Sequence, residues 1–381
     1  MKKPESFDLT YVTIDSLSEG VGSSQITPLI TRLSKAGLKI KLISFEKISP
    51  NHDLLNYFNE LGVAWNAQPF GSNGLIGGIQ RLNILRGEIL RTNVVHARSD
   101  IPAVSGLIAH EAPLLWDVRS LWADQKILIQ RNVGNRSLYQ AYRRLESFAA
   151  RNSDGMSTLS HAVVPVLESR NRKLPSLRIV VPTTVDLNKF LFEPNMPVIP
   201  HALFSGTYND YYDLKLSARF MNEVRKLTHL ETHWARPMES VKSQINVGES
   251  KVIECLQTDM PQLIPNYSFG VSVCNLSAGP SLTAAMPTKI GEFLACGRPV
   301  VVNRGLGDMD MLIEKYNVGI SLDGTRGNLV ESAEKLMSMI SDNGTPQRCR
   351  AVAEEYFNMD HAVKKYIHVY SQMQEGASQP H

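Results

Sequence analysis

The sequence predicts an α/β chain built as two doubly wound, parallel-sheet domains in series. Three features predict it. A strand–loop–helix–strand unit opens the chain, an Asn/Pro/Glu-rich break interrupts the pattern at 188–200, and the same logic restarts after the break. Of 381 residues, 43% are hydrophobic and 20% charged, enough for two packed cores and too apolar for disorder. Residues 9–14 are rich in strand formers, and a Gly/Ser loop follows at 18–24. Ile26, Leu29, Ile30 and Leu33 then recur at helical spacing, with Gly37 where a helix C-cap belongs, before a second strand at 39–45. Such a βαβ unit makes a parallel sheet covered by helices. Short buried strands are expected at 94–97, 114–118, 155–159 and 178–181, with a helix at 137–151. Beyond the break, strands at 202–205, 269–274 and 298–302 alternate with helices at 214–226 and 287–295. An amphipathic helix at 360–373 precedes a polar tail, 375–381, expected to fray. The expected boundaries are 1–187 for the first domain, 188–200 for a linker and 201–357 for the second domain. The final helix, about 358–381, is expected to pack back on the first.

Charge and cysteine usage narrow the function. Lys and Arg number 40 against 37 Asp and Glu, a net +3, which excludes the strong basic excess of a nucleic-acid binder. The four cysteines (Cys255, Cys274, Cys296, Cys349) form no C-x-x-C pair, so buried reduced thiols are expected rather than a disulfide framework or a structural zinc. No segment approaches the ~20 apolar residues that span a bilayer, and the start of the chain lacks the features of a signal peptide. A cytoplasmic location is expected. Contact with the inner face of a membrane, through a modest basic surface, stays open.

Ligands in open α/β sheets sit at the carboxyl ends of strands, so the residues just after each strand are the candidates. Gly20, Gly22 and Ser23 belong to a loop that starts like G-x-G-x-x-G but has Gln25 at the third glycine, and Glu46 ends the next strand. A dinucleotide site, a plain tight turn, and backbone amides facing an anion or a ligand hydroxyl are all compatible with it. Asp117 and Arg119 follow a buried strand, beside His96 and Arg98 at the end of a neighbouring one. Buried charge needs a partner, so these residues either form an ion pair capping the sheet or face a cleft. The third candidate is the most informative. A small-residue loop holding Gly279, Ser281 and Thr283 leads through Pro287 into a helix, with Thr288, Lys289 and Glu292 in its first turns. A helix N-terminus carries about half a positive charge and suits a phosphate, Lys289 adds a full charge, and Glu292 on the same face can accept from ribose hydroxyls. The competing reading is an ordinary surface pair at i,i+3.

The segment from Pro287 through Lys289, Glu292, Ala295 and Gly297 to Pro299-Val300-Val301 resembles the nucleotide-sugar segment of the GT-B glycosyltransferases of family four. Other pieces resemble that family in its own order. They are Gly20-Val21-Gly22, the Trp116–Trp122 run (as in its bacterial surface-polysaccharide branch), Ser157–Ser160, the linker motif from Val181 to Phe190, and Phe204-Ser205-Gly206-Thr207. The resemblance covers nearly the whole chain. It implies two Rossmann-like doubly wound domains facing across a cleft, and transfer of a sugar, with retention, from a nucleoside-diphosphate sugar to the hydroxyl of a glycan or lipid-linked acceptor. It implies neither a metal nor another cofactor. Lys289, Asp117 and Arg119 are the implied catalytic residues. Glu292, Ser281, Thr283, Gly279, Thr288, Gly206, Thr207 and Arg236 are assigned to the donor, and Gly20, Gly22, Ser23, His96 and Arg98 to the acceptor side.

The chain also departs from the family. Ala284 stands where a first glutamate commonly precedes the one at 292, Thr184 replaces a linker glycine, and residues 208–213 are Tyr-Asn-Asp-Tyr-Tyr-Asp where basic residues are common. Ala284 and the 208–213 run keep a non-catalytic nucleotide-sugar binder in view; a nucleotide-sugar epimerase, whose sheet pattern is similar, and a two-domain NAD-dependent oxidoreductase are further alternatives. Asp308-Met309-Asp310 is a D-x-D, the metal motif of another glycosyltransferase fold, but it lacks further clustered ligands in the sequence.

Overall fold

The apolar runs pair into two sheets, all of whose pairings are parallel. The computed structural model describes residues 6–72, 74–88, 92–109, 112–129, 136–206, 208–209, 211–242, 245 and 250–377. Its first sheet contains β1 (Phe7–Val12), β2 (Ile40–Glu46), β3 (Ala64–Pro69), β4 (Thr92–Arg98), β5 (Leu114–Val118), β6 (Gly155–Thr158) and β7 (Leu177–Val180), in the order β3-β2-β1-β4-β5-β6-β7. The second contains β8 (His201–Ser205), β9 (Glu231–Ala235), β10 (Ser250–Ile253), β11 (Phe269–Ser272), β12 (Val300–Asn303) and β13 (Gly319–Leu322), in the order β10-β9-β8-β11-β12-β13. Each order reverses beside the sheet's first strand, at β1/β4 and β8/β11, which opens a crevice at the strand ends.

Four strands carry no clear sequence signal. β3 and β10 are edge strands with little buried surface, β9 mixes His233 and Thr232 with its apolar residues, and β13 has only four residues. The expected strand at 269–274 stops at Ser272, because the Cys274 amide donates instead to the Asn303 side chain at 2.8 Å. The glycine loop enters its helix, Thr27–Lys35, through a five-residue π turn, Gly22–Ile26. Gly22 is required there, since a Cβ would lie 1.8 Å from the Ser16 carbonyl oxygen.

Residues 188–200 carry no helix or strand. Arg298, fully buried, pins this stretch by donating to the carbonyls of Glu193, Asn195 and Pro265. The chain crosses between the sheets twice, and the crossings lie side by side. The Val185 amide donates to the Phe357 carbonyl at 2.7 Å, and the Met359 amide to the Val185 carbonyl at 3.3 Å. The last helix, Met359–Ala377, buries Tyr366, Val369, Tyr370 and Met373 against Leu9, Tyr11, Ile30 and Leu115 of the first sheet's layer. Residues 378–381 of the expected tail lie outside the described residues. No helix among the described residues is long and apolar enough to cross a membrane.

Candidate active site

The carboxyl ends of the two sheets border a shared cleft of about 440 Å³. Its second-sheet wall is made by Ser205 at the end of β8, Gly206 just after it, Arg236 after β9, and residues of the loop and helix from Ser281 to Glu292. Gly206 and Arg236 both have positive φ, +84° and +59°, which turns the chain sharply at each strand end. The helix Thr288–Ala295 begins at Pro287, which offers no side-chain cap; the Ile290 amide turns back on the Pro287 carbonyl at 3.0 Å, and the two amides before it have no side-chain cap.

Lys289 occupies the second position of that helix. Its side chain is only 8% exposed, and among the described residues its Nζ has no hydrogen-bond partner. The ammonium instead lies 4.0 Å from the ring centre of Tyr208 and 4.4 Å from that of Tyr212. Burial pushes its pKa down to about 8, opposed by the neighbouring Cys274 and Glu292. Burial likewise pushes the Glu292 carboxyl up to about 7, against the pull of Lys289 and Arg236. The surface i,i+3 pair is therefore not what forms. A buried amine at the positive end of a helix dipole, with no ion-pair partner among the described residues, is costly unless an anion meets it.

The first-sheet wall brings in Gly20, Val21, Ser24, Arg98 and Arg119. Ser23 donates to the Gly20 carbonyl and reaches Gln257 of the opposite wall at 3.5 Å. Two residues expected at the cleft lie behind it. Asp117 is 1% exposed and is held by Arg119 Nε at 2.6 Å, His96 Nε2 at 3.2 Å and the Ser157 hydroxyl. Burial alone would raise its pKa, but Arg119, His96 and Arg98 outweigh burial and hold the carboxyl well below the usual range. His96 is fully buried, bonded through Nδ1 to the Tyr370 hydroxyl, and burial lowers its pKa. The final helix covers this side of the sheet. Arg119 links the two regions, because it lines the cleft while its Nη2 donates to the Tyr366 hydroxyl at 2.8 Å.

The remaining candidates divide in the same way. Ser281 and Thr288 line the cleft, and the Tyr211 hydroxyl donates to the Ser281 carbonyl at 3.2 Å. Gly279 is exposed in its loop, with φ +55°. The Thr283 hydroxyl turns back on the Pro280 carbonyl, and its own carbonyl accepts from the Ser160 hydroxyl of the first lobe. Gly22 is consumed by its contact with Ser16. Thr207 lies outside the described residues. Glu46, the acid a dinucleotide site would aim at a ribose, accepts from the hydroxyls of Ser16, Ser18 and Ser44 and the Leu17 amide, so it is spent on its own loop. Ala284 is 1% exposed within the first lobe's apolar cluster, where burying a carboxylate would be costly. The D-x-D carboxylates are similarly engaged. Asp308 accepts from the His161 and Ala162 amides across the interface, and Asp310 from the Gly305 amide and the Ser321 hydroxyl.

Sequence reasoning missed Tyr208 and Tyr212 as the surroundings of Lys289, and Asp308 as a link between the lobes. The i,i+4 spacing of two tyrosines after a strand was the available signal for the first.

Two Rossmann-like parallel sheets whose carboxyl ends share a cleft define the GT-B fold. The chain aligns with sucrose-phosphate synthase from Thermosynechococcus elongatus at a TM-score of 0.71 and 10% identity, over 97% of this chain and 99% of that one. It aligns with Anabaena HepE in complex with UDP and glucose at 0.64 and 14%, over 98% and 99%. With WaaG, a glycosyltransferase involved in lipopolysaccharide biosynthesis, the values are 0.64 and 11%, over 93% and 98%. No protein-family model and no curated protein sequence matches the chain.

Proposed function

We propose that this chain transfers a sugar from a nucleoside-diphosphate sugar to an acceptor hydroxyl. The carrying observation is the buried Lys289 ammonium, without a hydrogen-bond partner among the described residues, at an uncapped helix start beside the cleft. In this reading Lys289 and the first helix amides receive the diphosphate, Glu292 takes the ribose hydroxyls, and Arg236 flanks the phosphates. The difficult part of such chemistry is charge appearing on the departing diphosphate, and losing one preorganised donor typically costs about 3 kcal/mol of transition-state stabilisation. Arg119 and Arg98 border the acceptor side, and Asp117 positions Arg119 rather than touching substrate. HepE is described with UDP and glucose, which supports a donor of this class. We assign 1–187 with the final helix to the acceptor, 201–357 to the donor, and retention, a glycan or lipid-linked acceptor and metal independence to the reaction.

The test is a thermal-shift panel of UDP, GDP, ADP and TDP, followed by transfer assays with and without excess EDTA. One nucleoside diphosphate should raise the melting temperature, Lys289→Ala should shrink the rise, and transfer should survive EDTA. If every nucleotide leaves the melting temperature unchanged, the donor assignment is wrong. A second reading, a non-catalytic binder, draws on the apolar burial of Ala284. Slow hydrolysis of the bound donor without acceptor would exclude it.

A further inference from the structure

Among the described residues nothing neutralises Lys289 by a direct ionic bond, so another feature must hold its ammonium in place. Aromatic faces attract a cation without accepting a proton or cancelling its charge. The Tyr208 and Tyr212 rings lie 4.6 Å apart at 52° and both meet Nζ. The loop that carries them is hydrogen-bonded to the second sheet. The Tyr208 hydroxyl donates to the Val271 carbonyl at 2.7 Å, the Tyr212 amide to the Asn209 carbonyl, and the Asp213 amide to the Val273 carbonyl. These bonds tie the loop to the end of β11, directly beside the helix that carries Lys289. Tyr208 is buried, whereas Tyr212 is partly exposed and lines the cleft.

We propose that Tyr208 and Tyr212 are positioning residues that hold the Lys289 ammonium toward the diphosphate of the donor. The inference rests on the donor reading above and adds a role to a tyrosine-rich run where basic residues are common among the enzymes the sequence resembles. Basic side chains there would reach a phosphate themselves, whereas tyrosines supply no charge and work through the one lysine.

The test uses the full chain and whichever of UDP, GDP, ADP and TDP binds it most tightly. Tyr212→Leu should weaken binding about tenfold, as expected for loss of a desolvated cation–aromatic contact. Tyr212→Phe, which keeps the ring, should bind like the unmodified chain. In a Lys289→Met background, Tyr212→Leu should cause no further loss. Equal binding by Tyr212→Leu and the unmodified chain, or a full additional loss in the Met background, overturns the positioning role while leaving the donor reading standing. Failure of all four nucleotides to bind the unmodified chain overturns both. A measurement on the unmodified chain guards against a misfolded variant. With ¹³C-labelled lysine, one ε-methylene resonance should be shifted upfield by the rings, and its absence would also refute the proposal.

Discussion

Replacing Lys289 with methionine should stabilise the ligand-free protein while weakening, yet leaving measurable, its affinity for a nucleoside diphosphate. The amine falls from its ordinary 10.5 to about 8, mainly through burial, which corresponds to about 3 kcal/mol of preference for the neutral form. The two ring faces return about 1–2 kcal/mol of that to the cation. A side chain of similar size and no charge should therefore gain about 1–2 kcal/mol at pH 7. For a cooperative unit of 150–250 residues, each kcal/mol is worth about 2–4 °C. The sign of the pH dependence follows from linkage. The folded pKa lies below the unfolded one, so the burden of the buried charge is fully present below about 8 and is relieved as pH rises toward 10.5. Calorimetry at pH 7, 8.5 and 9.5 should show the methionine variant melting higher at pH 7, with the difference shrinking at each step. A variant that melts lower at pH 7, or by a constant margin at every pH, would show that the ammonium is not buried as described.

Glu292→Gln should flatten another slope. Its carboxyl rises to about 7, so the contribution to stability is complete below about 4.5 and is lost as pH climbs through 7. Urea unfolding between pH 5 and 7.5 should become less pH-dependent, and nucleotide binding should weaken at least about tenfold. Asp308→Ala removes the acceptor shared by the His161 and Ala162 amides. We expect a loss of about 1–2 kcal/mol and a larger radius of gyration by small-angle scattering, and an unchanged radius would deny this link a part in holding the lobes together. Ala284→Glu places a carboxylate in an apolar cluster, so it should cost at least about 2 kcal/mol in thermal melts, whereas Ala284→Ser should cost far less.

Both sheets were legible because their central strands are continuous apolar runs bounded by Gly, Pro and Asn. The edges were not, since β3 and β10 gain little from burial and so carry little pattern. Lys289 and Glu292 could be placed from helical spacing alone. Asp117 and His96 could not, because what covers them is Tyr366 and Tyr370, contributed about 250 residues later. Nor could the fate of Glu46, which depends on how the Ser16–Ser18 backbone folds over it. Strand ends identify where a side chain begins, but its neighbours are set by segments remote in sequence.

The packing of Met359–Ala377 against Leu9, Tyr11 and Leu115 also bears on how the molecule is made. A ribosome delivers every strand of the first sheet early, then the whole second sheet, and only afterwards the helix that covers the first. The first sheet thus emerges before the second yet is finished after it, and its apolar floor stays uncovered while some 180 residues are added. Chaperone demand during synthesis should therefore centre on the opening half of the chain.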